Sequence, residues 1–205
     1  CGSGHFLVAA ARRIATRLAS VRTGEADPTP TDIQAAMHDV VARCIYGVDL
    51  NPMAAELAKV SLWLEAMQPG KPLSFLDAHI KVGNALLGTT PELLAAGVPD
   101  AAFVALTGDD RKWVTALKKR NKAEREQSAQ GELFDTGGLT VDTRALAGRV
   151  RDLEQGASAS LDDVHRIEQR YRDLEHDPAY ANARLVADAW CAAFVCPKTP
   201  DAPVI

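Results

Sequence analysis

No apolar run in the sequence approaches the ~18 residues that a membrane-crossing helix requires. No secretory signal is visible either: the chain opens on a glycine loop, and Arg12, Arg13 and Arg17 fall on a helix rather than ahead of an apolar core. No membrane contact and a cytoplasmic location are therefore the expectation. Cysteine is sparse. Cys1, Cys44, Cys191 and Cys196 include no C-x-x-C pair, and none lies beside a histidine at zinc-ligand spacing. That argues against a zinc ribbon; reduced, mostly buried thiols and no metal are expected. A basic excess is also missing. The chain has 23 Lys/Arg against 27 Asp/Glu, a formal net charge of −4; residues 1–100 carry 8 against 10, and residues 101–205 carry 15 against 17. Neither half is a basic module, so any nucleic-acid contact falls to local patches or to a larger parent protein. The remaining composition is ordinary: 205 residues, 47% apolar and 24% charged, enough for one large domain or one and a half smaller ones.

What is present begins at the first residue. Cys1-Gly2-Ser3-Gly4-His5-Phe6-Leu7 is a glycine-rich loop running straight into a helix. Glycine tolerates unusual dihedrals and carries no side chain, so the backbone N–H groups of such a loop can approach a polar ligand. Helical spacing of Phe6, Leu7, Ala10, Ile14 and Leu18 follows, to about Val21. A polar linker spans Gly24 to Pro30, and Thr31-Asp32 can cap a second helix through Ile33, Ala36, Met37, Val40 and Val41. Cys44 to Leu50 reads as a buried parallel strand. Asn51-Pro52 then starts a helix carrying Leu57, Val60, Trp63 and Leu64 and ending near Gly70. His79 to Asn84 is a weaker strand. The order helix, helix, strand, helix, strand is the middle of an alternating α/β domain. Beyond Gly88 the segments 91–96, 100–106, 109–130, 142–155, 159–176 and 179–195 read as helical, with no internal repeat. Gln127 to Gly138 reads as a mobile loop, and Pro197 to Ile205 as extended. The expected division is 1–98, a partial α/β domain, and 99–205, a helical insertion or subdomain.

In a doubly wound sheet the C-terminal ends of adjacent strands line one crevice. The glycine loop, Asp49 and Asn84 would all face it. The loop suits the polar end of a ligand, the Asp49 carboxylate could accept from two ribose hydroxyls, and Asn84 could bond an adenine edge. Each has a plainer reading: Asp49 as a helix cap, Gly83-Asn84 as a turn, His5 as a structural residue of a first helical turn. A dinucleotide fingerprint needs a small residue where Leu7 stands, so a compact head group such as a methionine moiety fits better than a pyrophosphate.

CGSGHFL resembles the first motif of amino-group DNA methyltransferases. Tyr46-Gly47-Val48-Asp49-Leu50-Asn51-Pro52 looks like their second motif, and Val82-Gly83-Asn84-Ala85-Leu86-Leu87-Gly88 is similar to part of their third. The likeness is greatest to large single-chain adenine methyltransferases of type II restriction–modification and phage-exclusion (BREX-like) systems. Segments resembling theirs recur at Lys71 to Asp77, at 109–126 and at Asp188 to Phe194. The resemblance implies a partial Rossmann-like class I methyltransferase sheet with a large helical insertion. It implies S-adenosylmethionine as cofactor, double-stranded DNA as partner through the parent protein, and methylation of the exocyclic amino group of adenine. The cofactor-binding residues it implies are Cys1, Gly2, Ser3, Gly4, His5, Phe6, Asp49, Leu50, Asn51, Asn84 and Ala85. The family's catalytic N-P-P-aromatic motif does not occur: Asn51-Pro52 is followed by Met53 and reads as a helix start. No catalytic residue is therefore assigned, and the chain is expected to be an inactive fragment lacking the first strand and the catalytic half. Lys118, Lys119, Arg120 and Lys122 are candidate phosphate contacts, with Trp113 on the same helix; a solvated helix face is the more common reading of such a charge run. A methyltransferase acting on RNA, protein or a small molecule, and a non-catalytic helical binding or scaffold module, are the competing readings.

Overall fold

The computed structural model describes residues 1–131, 143–154 and 160–202. Its elements are α1 (His5–Thr23), α2 (Pro30–Arg43), β1 (Gly47–Asp49), α3 (Pro52–Ala66), β2 (Ile80–Val82), α4 (Pro91–Ala95), a 3-10 turn (Asp100–Ala102), α5 (Arg111–Gly131), α6 (Thr143–Glu154), α7 (Leu161–Glu175) and α8 (Pro178–Val195). The chain forms two compact units, Cys1–Leu86 with Ala147–Glu175, and Leu87–Leu146 with His176–Ile205.

In the first unit β1 and β2 pair in parallel, Gly47 opposite Ile80, Val48 opposite Lys81 and Asp49 opposite Val82. Helix α3 makes the crossover, as parallel pairing requires. It starts where Asn51 accepts from the Met53 N–H at 3.0 Å and Pro52 occupies the first turn. α2 starts two residues earlier than Thr31 suggests. Thr29 is the N-cap, and it exchanges hydrogen bonds with Asp32 in a capping box across Pro30.

The packing faces differ from those that large side chains indicate. α1 buries Leu7, Ala11, Ala15 and Ala19, while Phe6 is 80% exposed. α3 buries Ala55, Ala58, Lys59, Leu62 and Ala66, and its Leu57, Val60 and Leu64 are exposed. Alanine seams let helix axes approach closely. α3 also ends at Ala66, short of Gly70. Tyr171 on α7 covers the edge of this unit: Lys81 lies 4.4 Å over its ring, Phe75 sits 5.4 Å from it, and its hydroxyl donates to Glu175 at 2.7 Å.

α6 and α7 do share a short internal repeat, Arg-x-Arg-Asp-Leu-Glu, at 149–154 and 170–175. Its matched positions Arg149, Asp152 and Leu153 line one open groove of about 420 Å³ with Arg170, Asp173 and Leu174.

In the second unit the core gathers Ala102, Phe103, Val114 and Ala193, and Trp190 donates to the Gly97 carbonyl at 3.1 Å. The helix expected over 100–106 shrinks to the single turn Asp100–Ala102. α5 runs through Gly131, so Gln127 to Gly131 is helical; the rest of the expected loop lies outside the described residues. The four thiols are free; Cys44 is exposed, Cys191 and Cys196 are half-buried, and Cys1 packs against the core of the first unit.

Candidate cofactor site

The site is assembled at the C-terminal ends of the paired strands. Gly4 closes the loop in a left-handed conformation (φ 87°) and forms the N-cap of α1. A side chain there would also meet the Ala58 backbone of α3 at 3.1 Å, so glycine is needed twice over. Gly2 is left-handed too (φ 56°), yet nothing lies within 4 Å of where its Cβ would be. One glycine is demanded by packing, and the other faces open space.

Asp49 ties the elements together. Its Oδ2 accepts from the Cys1 backbone nitrogen at 2.9 Å and the Gly2 N–H at 2.7 Å, and its Oδ1 accepts from the Asn51 N–H at 2.9 Å. The Asn51 N–H, the Cys1 nitrogen and the Gly2 N–H together hold its carboxyl down at about 2. A carboxylate offers about four lone-pair sites. Three are taken, which leaves room for about one further hydroxyl donor beside the donors present.

Leu7, buried at 9% exposure, rests directly on Gly47 of β1. The close approach of helix and strand is thus made from the strand side, where glycine admits the leucine. Asn84 follows β2, and its Oδ1 accepts from the Leu86 N–H at 2.9 Å, an Asx-type turn. Leu50, Asn51, Asn84 and Ala85 are exposed around the strand ends, and His5 and Phe6 are exposed beside the loop. Ser3 bonds the His5 ring (Oγ to Nδ1, 2.8 Å), and its carbonyl accepts from Ser61 at 2.9 Å. A groove of about 350 Å³ runs between α1 and α3, lined by Ser3, His5, Val8, Arg12, Ser61 and Leu64 among others; it takes in Ser3 and His5 of the expected cofactor residues, while Asp49 and Asn84 are not part of it.

Compared with known proteins, the chain is 31% identical over 105 residues to a Methanocaldococcus jannaschii protein named "Putative type II restriction enzyme and methyltransferase". That is a likeness to a restriction–modification methyltransferase. The alignment covers 45% of this chain and 8% of the relative, so the chain spans a small part of that protein's length. No family model matches the chain, and no solved structure matches it.

Two polar residues of the 71–79 segment are engaged away from the strand ends. Asp77 bonds Lys59 Nζ at 2.7 Å, and His79 stacks on Tyr46 with ring centroids 4.4 Å apart. Lys59 itself is buried, and sequence reasoning passed over it. Burial works against its charge, but Asp77 and Glu56 outweigh that and raise its pKa. The available signals were Glu56 one turn earlier on the same helix and the following Asp77. Among the described residues, no group of three or more metal-ligating side chains occurs, and no helix is long and apolar enough to cross a membrane.

Proposed function

We propose that this chain is the cofactor-binding portion of a DNA methyltransferase of restriction–modification type, which transfers the methyl group of S-adenosylmethionine to the exocyclic amino group of adenine. The observation that carries the reading is Asp49. An ionised carboxylate sits at the end of a parallel strand, hydrogen-bonded to a glycine loop that opens a helix. The likeness to a protein named as a restriction enzyme and methyltransferase supports the methyltransferase part of the reading and its restriction–modification setting.

The residues present fit an adenosyl ligand in kind. Gly2 has clear space beside it, Asp49 retains an acceptor position for a ribose hydroxyl, and Asn84 stands past the neighbouring strand. In this reading the Gly2–Gly4 loop would hold the methionine end through backbone groups, and Asp49 would orient the ribose. Asn84 would present its amide to the base. The cofactor supplies an activated methyl on a sulfonium. The chain's own contribution is positioning: a loop clamped by Asp49 on one side and packed on Ala58 on the other sets the ligand with little freedom. The acceptor nitrogen of adenine is a poor nucleophile, and its activation is the task of an N-P-P-aromatic motif that these 205 residues do not contain.

The test is calorimetric titration of the protein with S-adenosylmethionine and S-adenosylhomocysteine. Saturable binding is expected, weakened about ten- to a hundredfold in Asp49→Ala, because one charge-assisted hydrogen bond and the anchor of the loop are lost together. Absence of binding to either ligand, in protein shown by circular dichroism to be folded, refutes the proposal. Transfer of tritiated methyl groups to DNA by the parent enzyme, recovered as N6-methyladenine, tests the acceptor.

A further inference from the structure

α5 sorts its charges by face. Trp113, Val114, Leu117, Asn121 and Arg125 form its inward side: Val114 is buried, Asn121 donates to the Val98 carbonyl at 2.9 Å, and Arg125 is paired with Asp100. Trp113 lines a small pocket with Phe103 and Leu117 and so faces the core. At about 100° per residue, Arg111, Lys112, Lys118, Lys119 and Lys122 fall within one arc of about 120° that starts beside Arg125 and runs round to the side opposite the core, and all five are exposed. Arg120 lies on the flank and bonds Glu124 at 2.7 Å. Among the described residues, a carboxylate reaches this face only at Lys122, where Glu126 is 3.9 Å away. The chain as a whole is acidic, at −4, so the stripe concentrates positive charge against the overall balance.

We infer that the outer face of α5 binds the phosphate backbone of duplex DNA through Arg111, Lys112, Lys118, Lys119 and Lys122, and that Arg120 and Arg125 are structural. The reading rests on the proposed action on DNA. The occupant follows from charge complementarity. From Arg111 to Lys122 the helix rises about 16 Å, over which one strand of a duplex presents four or five phosphates. Flexible lysines act as point charges toward phosphate and give no fork-like base recognition, and no aromatic ring lies on this face to stack on an unpaired base. The contact therefore positions DNA without reading its sequence.

The experiment is fluorescence anisotropy of the protein with a labelled random-sequence duplex across a salt series. The triple variant Lys118→Gln/Lys119→Gln/Lys122→Gln should bind about ten- to a hundredfold more weakly at low salt, and the slope of log K against log salt should fall by roughly two to three. Arg120→Gln should leave the slope unchanged. A slope that is the same in the triple variant and the parent, no duplex binding at low salt, or equal weakening by Arg120→Gln overturns the inference, as does retention by anionic vesicles in place of DNA. S-adenosylmethionine titration of the same triple variant keeps the two readings apart. Normal cofactor binding with an unchanged salt slope fails this inference alone; a lost slope in protein that binds no cofactor fails the cofactor reading alone.

Discussion

Replacing Gly47 by alanine isolates the contact that lets α1 reach β1. The new methyl would lie 2.8 Å from Leu7 Cδ1, 3.2 Å from Ile80 Cδ1 and 3.3 Å from Cys1 Cβ. Favourable carbon–carbon contact begins near 3.5 Å, and both Leu7 and Ile80 are buried, so neither can swing into solvent. Overpacking of this kind costs about 1–3 kcal/mol. The loss of unfolded-chain freedom on going from glycine to alanine returns about 0.4–1 kcal/mol. The net expectation is a destabilisation of about 1–2 kcal/mol, read as a lower urea midpoint at unchanged slope. The cause can be separated from a general β-strand effect by a double-mutant cycle. Leu7→Ala alone should cost about 2–5 kcal/mol, and less in the Gly47→Ala background, because the methyl then occupies vacated space. A coupling near 1 kcal/mol is expected. A neutral Gly47→Ala, or two costs that simply add, would refute the packing argument.

Two further outcomes are expected. Asp49 has its folded pKa depressed to about 2 against an ordinary value of 3.8, so its stabilising contribution is complete above that ordinary value and is lost as pH falls toward 2. The urea midpoint of the parent should therefore fall more steeply than that of Asp49→Asn across this acid window; parallel profiles would show that the carboxylate is not held by the loop. Thr29→Ala, which removes the capping box of α2, should cost about 0.5–2 kcal/mol in thermal or urea unfolding, and a neutral result would place the start of that helix elsewhere.

Much of the strand-end geometry was legible from residue order. The run before Asp49 and the Asn51-Pro52 helix start place a carboxylate between strand and helix, as read, but the strand is only Gly47–Asp49 of the expected Cys44 to Leu50, and Tyr46 and Val48 are exposed rather than buried. Which faces would be buried was not legible. α3 is apolar nearly all round, and periodicity cannot choose between two apolar stripes. The buried stripe is Ala55, Ala58, Leu62 and Ala66, and at Ala58 the Gly4 loop comes within van der Waals distance of the helix. A larger residue at position 58 would push the loop away. The burial of Lys59 was hidden for a related reason: a lysine is read as solvent-facing unless its partners are known, and Asp77 lies in another segment. Tyr171 packs against residues some ninety positions earlier in the chain, and no local pattern encodes that.

The hydrogen bonds of Asp49 have a consequence for the energetics of ligand capture. A loop held only by its own turn would have to be frozen when a ligand arrives, and the lost freedom, about 1–2 kcal/mol per residue ordered, would be subtracted from affinity. Here Cys1 and Gly2 are already held by the carboxylate at the end of β1, and Asn51 by its other oxygen. The ordering of loop, strand end and helix start is completed during folding, so a ligand entering there meets a surface whose shape has already been decided.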